Sequence, residues 1–451
     1  MKAVSDFKGK DVLVLGLAKS GTAAALLLHE LGARVTVNDQ KPLEENEAAR
    51  SLEKAGCRVI CGEHPSSLIH EGLSCVVKNP GIRYDNPLIE KALRLAIPVI
   101  TEVELAYRVS EAPIVGITGS NGKTTTTTLV HEMLQNGTKH PLIAGNIGKV
   151  SCEVAKNAGP ENVMVTELSS FQLMGVEAFK PQVAVLLNII DAHLDYHGNR
   201  EAYAEAKARL FKNTDENSVL VYNFDDPLVR RLAERAEGIK MPFSVREQLN
   251  TGASLSEDGY LTVNGEAVIH KDEMSLPGEH NIENALAAAL TASVYDVNRK
   301  DMASVLMSFT GVKHRLQFVK NLNGRAVYNN SKATNIPATI TALKAFDKPV
   351  VLIAGGLDRG NEFDDLLPWL KNVHSVVTYG ETAEKVARVA REAGAEVISV
   401  QTLDEAVPEA YRLTNEGDIL LLSPACASWD QFKTFEERGD RFIEAVEKLG
   451  S

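Results

Sequence analysis

The chain has 451 residues, 48 Lys and Arg against 60 Asp and Glu, and a formal net charge of −12; at ~150 residues per domain it is long enough for about three domains. The acidic balance argues against a nucleic-acid partner, the 44% apolar and 24% charged content argues against disorder, and no apolar run reaches the ~18 residues a membrane span needs. Five cysteines (Cys57, Cys61, Cys75, Cys152, Cys426) lack metal-ligand spacing, and the N-terminus runs into a strand with no signal-cleavage pattern; a cytoplasmic protein without disulfides is expected.

Short β-branched runs alternate with amphipathic stretches, the pattern of parallel α/β domains. DVLVLG (11–16) reads as the first strand, followed by a helix through LLLHELG and then by RVTVND (34–39), CRVICG (57–62), SCVVKN (74–79) and PVIT (98–101). The loop Gly16-Leu17-Ala18-Lys19-Ser20-Gly21, with Asp39 closing the next strand, has the outline of a dinucleotide fingerprint. Ala18 stands where a second glycine would let a pyrophosphate approach the backbone. The loop therefore reads as a site for NAD or FAD, as a site for another nucleotide-like ligand, or as a plain turn.

A second start comes at APIVGITGSNGKTTTT (112–127): strand, Gly-rich loop, helix. In Thr118-Gly119-Ser120-Asn121-Gly122-Lys123-Thr124, backbone N–H groups and a helix N-terminus would face phosphate oxygens. Lys123 would balance phosphate charge, and the Thr124 hydroxyl would ligate Mg²⁺. Ile117 occupies the position of the first glycine in a strict P-loop; the alternative is a Gly/Asn turn with a solvated lysine. Strands follow at VMVTELS (163–169), VAVLLNI (183–189) and SVLVYN (218–223). Glu167, at a strand's carboxyl end, reads as a Mg²⁺ ligand or a solvated carboxylate. His193, in the stretch 190–197, reads as a metal ligand or a structural histidine. Taken from its helix alone, Lys207 reads as a surface lysine. GYLTVNGEAVIH (259–270) reads as a hairpin turning at Asn264-Gly265.

A third series of strands begins at RAVYNNS (325–331) and continues through VVLIAGG (350–356), SVVTYG (375–380), EVISV (396–400) and DILLLSP (418–424). Ser331–Asn335 and Gly355–Gly360 fall at strand ends, where loops bind ligands. Cys426, in an Ala/Ser stretch, reads as packing rather than as a nucleophile. Arg315 could grip a phosphate or carboxylate, or form an interdomain salt bridge. The restarts divide the chain into three α/β domains, 1–101, 102–311 and 312–451.

TGSNGKTT (118–125), GNIG (145–148), ELSSFQ (167–172), HLDYH (193–197), EAKARL (205–210), GEHNIENALAA (278–288), HR (314–315), NSKATN (330–335), GGLDRG (355–360) and SPACASWDQF (423–432) occur in that order. Together they resemble the Mur ligases over nearly the whole chain, from Gly16 to Gly439. The resemblance implies a Rossmann-like N-terminal domain for a UDP-linked substrate, a central P-loop ATPase-type domain and a Rossmann-like C-terminal domain for an amino acid. The implied reaction is ATP-driven addition of D-glutamate to UDP-N-acetylmuramoyl-L-alanine through an acyl phosphate, in cytoplasmic peptidoglycan precursor synthesis. The SPACASWDQFKTFEERG ending is what most separates the chain from an L-alanine-adding sister, the alternative within the family. Outside it, the alternatives are a nicotinamide-dependent dehydrogenase and an ATP-operated binding switch. The partners implied are small molecules only, with a monomeric enzyme expected.

Carried over residue by residue, the resemblance implies that Gly119, Ser120, Asn121, Gly122, Lys123, Thr124 and Thr125, with Asn284, Arg315 and Asn330, hold ATP. Thr124, Glu167 and His193 would bind two Mg²⁺ ions, joined by Lys207, which matches the lysine that takes up CO₂ as a carbamate in this family. Lys123, His193 and Lys207 would thus be the catalytic set, although the base that takes the amine proton is not identified. Gly16, Lys19, Ser20, Gly21, Asp39, Gly81 and Asn146 would contact the UDP-linked substrate. Lys332, Thr334, Arg359, Ser428 and Phe435 would form the D-glutamate pocket. Three positions depart from relatives: Asn330 stands where many have Asp, Arg359 replaces a lysine, and Gln40-Lys41 after Asp39 vary.

Overall fold

The structure, a computed structural model, describes residues 1–451 apart from Ala3, Asp191, Pro277, Gly450 and Ser451 and the side chains of Leu194 and Asp195. The chain forms two compact units, Met1–Phe309 and Thr310–Ser451.

The first unit opens with β1 (Asp11–Leu15), β2 (Arg34–Asp39), β3 (Arg58–Cys61), β4 (Leu73–Lys78) and β5 (Val99–Ile100), a parallel sheet ordered β3-β2-β1-β4-β5. Along β1, Val12 and Val14 join one core while Leu13 and Leu15 join another on the opposite face. A parallel sheet covered on both sides demands such an unbroken apolar run. Strand order reverses between β1 and β4, so the loops after these two strands open side by side at the topological switch point. The helix Glu102–Val109 then leads into the second sheet. Its buried Glu104 carboxylate accepts the amides of Glu177, Ala178 and Phe179 at 2.9–3.0 Å and Arg108 Nε at 2.8 Å, so this internal charge is fully paired.

The second sheet comprises β6 (Ile114–Thr118), β7 (His140–Gly145), β8 (Asn162–Glu167), β9 (Val183–Leu186), β10 (Val219–Asn223), β11 (Ile239–Ser244), β12 (Ala253–Leu255), β13 (Tyr260–Val263) and β14 (Glu266–His270). Its order is β14-β13-β12-β11-β10-β9-β6-β8-β7, parallel except where β12, β13 and β14 pair. The expected hairpin is β13–β14: Asn264 and Gly265 both take positive φ, 50° and 79°, as a type I′ turn requires.

The second unit holds β15 (Gln317–Leu322), β16 (Arg325–Asn329), β17 (Val350–Gly355), β18 (Val373–Tyr379), β19 (Glu396–Ser399) and β20 (Ile419–Leu422), ordered β15-β16-β20-β17-β18-β19. Only the β15–β16 pair is antiparallel among the described residues. The α/β class and the three parallel-type sheets match expectation. Strands β7, β11, β12 and β15 were not legible: Pro141 and Pro242 sit inside two of them, where a missing N–H argues against a strand.

Candidate active site

Between β6 and the helix Lys123–Leu134 the chain turns through Gly119–Gly122. Gly122 caps the helix at φ 80°, and a Cβ there would overlap Asn284 Oδ1, so both backbone conformation and space require glycine. The helix start carries no capping side chain and no acidic residue in its first turn. Its N–H groups and dipole are therefore available for an anion. Asn284, on the helix Glu279–Ser293, is buried and accepts Thr126 Oγ1 at 3.2 Å, which braces the loop from behind.

Lys123 Nζ donates to Gly119 O at 2.8 Å and Ser120 O at 2.7 Å, and Lys207 Nζ donates to the same Gly119 O at 2.7 Å. Lys207 is only 1% exposed, which overturns the surface-lysine reading. The helix Arg200–Ala208 packs against the helical turn Ser170–Leu173 and turns this side chain inward. Burial, then the neighbouring Lys123 charge, pushes the Lys207 amine well below the ordinary lysine range, against a smaller pull upward from Glu167. Tyr203 carries the amine 4.7 Å from its ring centroid and receives a hydrogen bond from Ser120 Oγ at 3.2 Å.

Glu167, at the end of β8, is buried. Its Oε1 accepts Asn146 Nδ2 at 2.7 Å, while Oε2 has no hydrogen-bond partner among the described residues. A buried carboxylate oxygen left unpaired is costly unless a cation meets it. With the buried Thr124 hydroxyl at the phosphate loop, these hard oxygen donors fit Mg²⁺. Among the described residues no three His, Cys, Asp or Glu side chains converge on a metal position. His193, at φ 54°, lies edge-on to Phe171 with centroids 5.0 Å apart. Its neighbour Asp191 lies outside the described residues.

At the switch point, the loop after β1 leads into the helix Lys19–Glu30, whose N-terminus again lacks a capping side chain and an acidic residue. A Cβ on Gly21 would overlap Gly16 O; glycine permits this close approach. Asp39 accepts Leu17 N at 2.6 Å and Lys41 N at 2.9 Å through its two oxygens, so it orders the loop. Asn79 Nδ2 donates to Ser20 Oγ at 3.3 Å, and Asn79 Oδ1 accepts Gly81 N at 3.2 Å. One open cleft of ≈ 640 Å³ joins these elements, with Lys19, Ser20, Lys123, Asn146, His193 and Lys207 on its walls.

The other predicted residues belong to the second unit, where adjacent strands β16, β20 and β17 end together. The loops that follow carry Lys332 and Thr334, Ser428, and Arg359, while Phe435 starts the helix Phe435–Lys448. Lys332 Nζ stands 5.6 Å from the Phe435 ring centroid. Arg438 is wholly buried and spends Nε, Nη1 and Nη2 on Ser331 Oγ, Cys426 O and Ser331 O at 3.0, 3.0 and 2.7 Å, fixing two of these loops. Asn330 is also committed internally: Nδ2 donates to Ser423 Oγ at 3.0 Å and Oδ1 accepts Leu316 N at 3.1 Å. Cys426 is buried and unpaired, as the packing reading expected.

Several residues went unnoticed in the sequence. Tyr203 and Glu102, both on the cleft wall, belong to no motif that the sequence displays. Glu102 is 2% exposed, and burial raises its carboxyl to about 7. Lys78, beneath the Asn79–Gly81 loop, donates to Pro80 O and Ile82 O at 3.2 and 3.0 Å, and burial lowers it to about 8. No helix among the described residues is long and apolar enough to cross a membrane.

Three family descriptions match the chain: "Mur ligase MurD-like, N-terminal domain" over residues 10–101, "Mur ligase middle domain" over 117–292 and "Mur ligase, glutamate ligase domain" over 314–426. A UDP-N-acetylmuramoylalanine–D-glutamate ligase of Geobacillus sp. is 59% identical over 451 residues, covering 100% of both chains. The protein of the same name from Bacillus thuringiensis (strain Al Hakam) is 57% identical over 450 residues, again with 100% of both covered. Among solved structures, a UDP-N-acetylmuramate–alanine ligase of Thermotoga maritima shares the fold at 20% identity and TM-score 0.54, covering 97% of this chain and 99% of that one. A MurF of Acinetobacter baumannii does so at 17% identity and TM-score 0.55, covering 98% and 92%.

Proposed function

The chain belongs to the Mur ligase family, and from that membership we propose that it joins D-glutamate to UDP-N-acetylmuramoyl-L-alanine at the expense of ATP, in cytoplasmic peptidoglycan precursor synthesis. The observation that carries this reading is the full-length identity of 57–59% to ligases named for that reaction. The cleft supports it, since nucleotide-type loops from two sheets open onto one space.

A carboxylate is a poor electrophile and must be activated before an amine can displace its oxygen. In the proposed course, the carboxylate of UDP-N-acetylmuramoyl-L-alanine attacks the γ-phosphorus of ATP. A new O–P bond forms, the β,γ-bridging P–O bond breaks, and ADP leaves. The amides of Gly119–Thr124 and the Lys123 ammonium hold the phosphates and take up the negative charge that grows on the β-phosphate oxygens. The amine of D-glutamate, having given up a proton, then attacks the acyl carbon; the tetrahedral adduct collapses, the C–O bond breaks, and phosphate departs. Lys332, Thr334, Arg359, Ser428 and Phe435 would receive the amino acid, and Lys19 and Ser20 at the bare helix start would receive the diphosphate of the UDP group.

Thr124, Glu167, His193 and a carbamylated Lys207 would hold two Mg²⁺ ions. When bound, these ions neutralise charge on the transferring phosphoryl group. The environment of Lys207 favours the modification: two amines crowd one carbonyl oxygen, and burial together with the Lys123 charge disfavours the ammonium relative to the nucleophilic free amine. Its attack on CO₂ forms an N–C bond and releases a proton. The resulting anion would face Lys123 with attraction in place of repulsion.

The test is phosphate release from ATP with UDP-N-acetylmuramoyl-L-alanine and Mg²⁺, adding one amino acid at a time. Release that requires D-glutamate, with a matching mass gain in the nucleotide product, is the expected result. Release without any amino acid, or only with L-alanine on the unsubstituted UDP-sugar, would overturn the reading.

A further inference from the structure

After β17 the chain carries Arg359 among acidic side chains, and three of these, Asp358, Glu362 and Asp364, are claimed by the helix Ala383–Glu392. Lys385 Nζ lies 3.0 Å from Asp358 and 3.7 Å from Glu362, and Arg388 lies 2.9 Å from Asp364 and 3.3 Å from Glu362. The two acids nearest Arg359 in the chain, Asp358 and Glu362, are thus held by Lys385 and Arg388. Among the described residues the Arg359 guanidinium makes neither a hydrogen bond nor an ion pair; it lies over the Trp429 ring, with Cζ 4.9 Å from the centroid.

Trp429 is itself anomalous. It is 64% exposed, the most exposed of the large apolar side chains described, and a bare indole leaves much apolar surface in water. Its backbone is not loose, because the flanking segment is pinned by Leu357 N to Ala427 O at 3.1 Å and by Phe432 N to Ser428 O at 2.8 Å. The chain thus holds an indole face outward on a fixed loop, next to Ser428 and directly against Arg359.

We propose that Trp429 is a positioning residue of the D-glutamate site, its indole face holding the Arg359 guanidinium flat so that the N–H edge presents a fork to a carboxylate of the amino acid. Stacking suits this task because it uses the face of the cation and leaves its in-plane donors free. Arg438 provides the contrast: its donors are consumed by the protein, so it can only hold loops together. A planar fork gains from a flat support, whereas a point-charge ammonium would not depend on one for its orientation. The inference rests on the D-glutamate reading above and adds a residue to it.

The experiment compares wild type with Trp429→Leu, Trp429→Phe, Arg359→Ala and the Trp429→Leu/Arg359→Ala double variant, all checked for unchanged thermal unfolding. Trp429→Leu is expected to raise the KM for D-glutamate roughly two- to five-fold, the size of an exposed cation–π contact. The KM values for ATP and the UDP-linked substrate should stay put, and Trp429→Phe should recover most of the loss. In the Arg359→Ala background, Trp429→Leu should add nothing, because the two side chains act as one unit. An unchanged D-glutamate KM in Trp429→Leu, or additive effects in the double variant, would overturn the inference while leaving the ligase reading intact. A wild type that turns over without D-glutamate would overturn that reading first, and the inference with it.

Discussion

Glu102→Gln isolates one buried ionisation. Glu102 is 2% exposed, and its carboxylate accepts the backbone amide of Cys152 at the start of the helix Ser151–Asn157. Burial raises the carboxyl to about 7, the amide opposes that shift in part, and Glu153 adds to it. A folded value above the unfolded one means that the fold favours the protonated form. The stabilising contribution is therefore complete below pH ~4.5, and it is lost as pH rises through about 7. Linkage puts the loss between pH 5 and pH 8 at about 2–3 kcal/mol. Glutamine keeps an oxygen for the Cys152 amide and cannot ionise, so the variant should gain on wild type by that amount across the interval. At roughly 2 °C per kcal/mol for a unit of this size, the difference in Tm between variant and wild type should widen by about 5 °C. Thermal unfolding of both proteins in matched buffers at pH 5, 6, 7 and 8 reads this directly. A difference that stays flat over the range would refute the reasoning, because it would mean that Glu102 ionises as freely in the fold as in water.

Two further substitutions test the phosphate loop and its buried amine. Gly122→Ala places a methyl group on Asn284 Oδ1 at φ 80°; about 2 kcal/mol of stability should go and the ATP KM should rise roughly ten-fold, seen by thermal unfolding and steady-state kinetics. Lys207→Met removes an amine that burial already disfavours as a cation, so Tm should hold within a few degrees while ligation falls by at least roughly 100-fold. With ¹³C-bicarbonate, the carbamate carbon resonance expected in wild type should be missing from that variant.

The sequence made the strands legible where apolar runs were unbroken. β1, β6, β8 and β17 fall within a residue or two of DVLVLG, APIVGIT, VMVTELS and VVLIAGG, because a strand buried on both faces has no polar position to blur it. β7 and β11 were lost because Pro141 and Pro242 mimic breaks. The phosphate loop was equally plain, since Gly122 is imposed locally by a positive φ and by the start of a helix.

By itself, then, the sequence determined the α/β class, the Gly-rich loops and the family they resemble, all of them written in neighbouring residues. Tertiary structure alone decided which charges are charges. Lys207, Lys78 and Glu102 look like solvated surface residues in a string of letters, and only the packing of distant segments removes their water. The same holds for the unpaired oxygen of Glu167 and for the indole under Arg359. Desolvation and orientation depend on what arrives from elsewhere in the chain, and no local pattern encodes them.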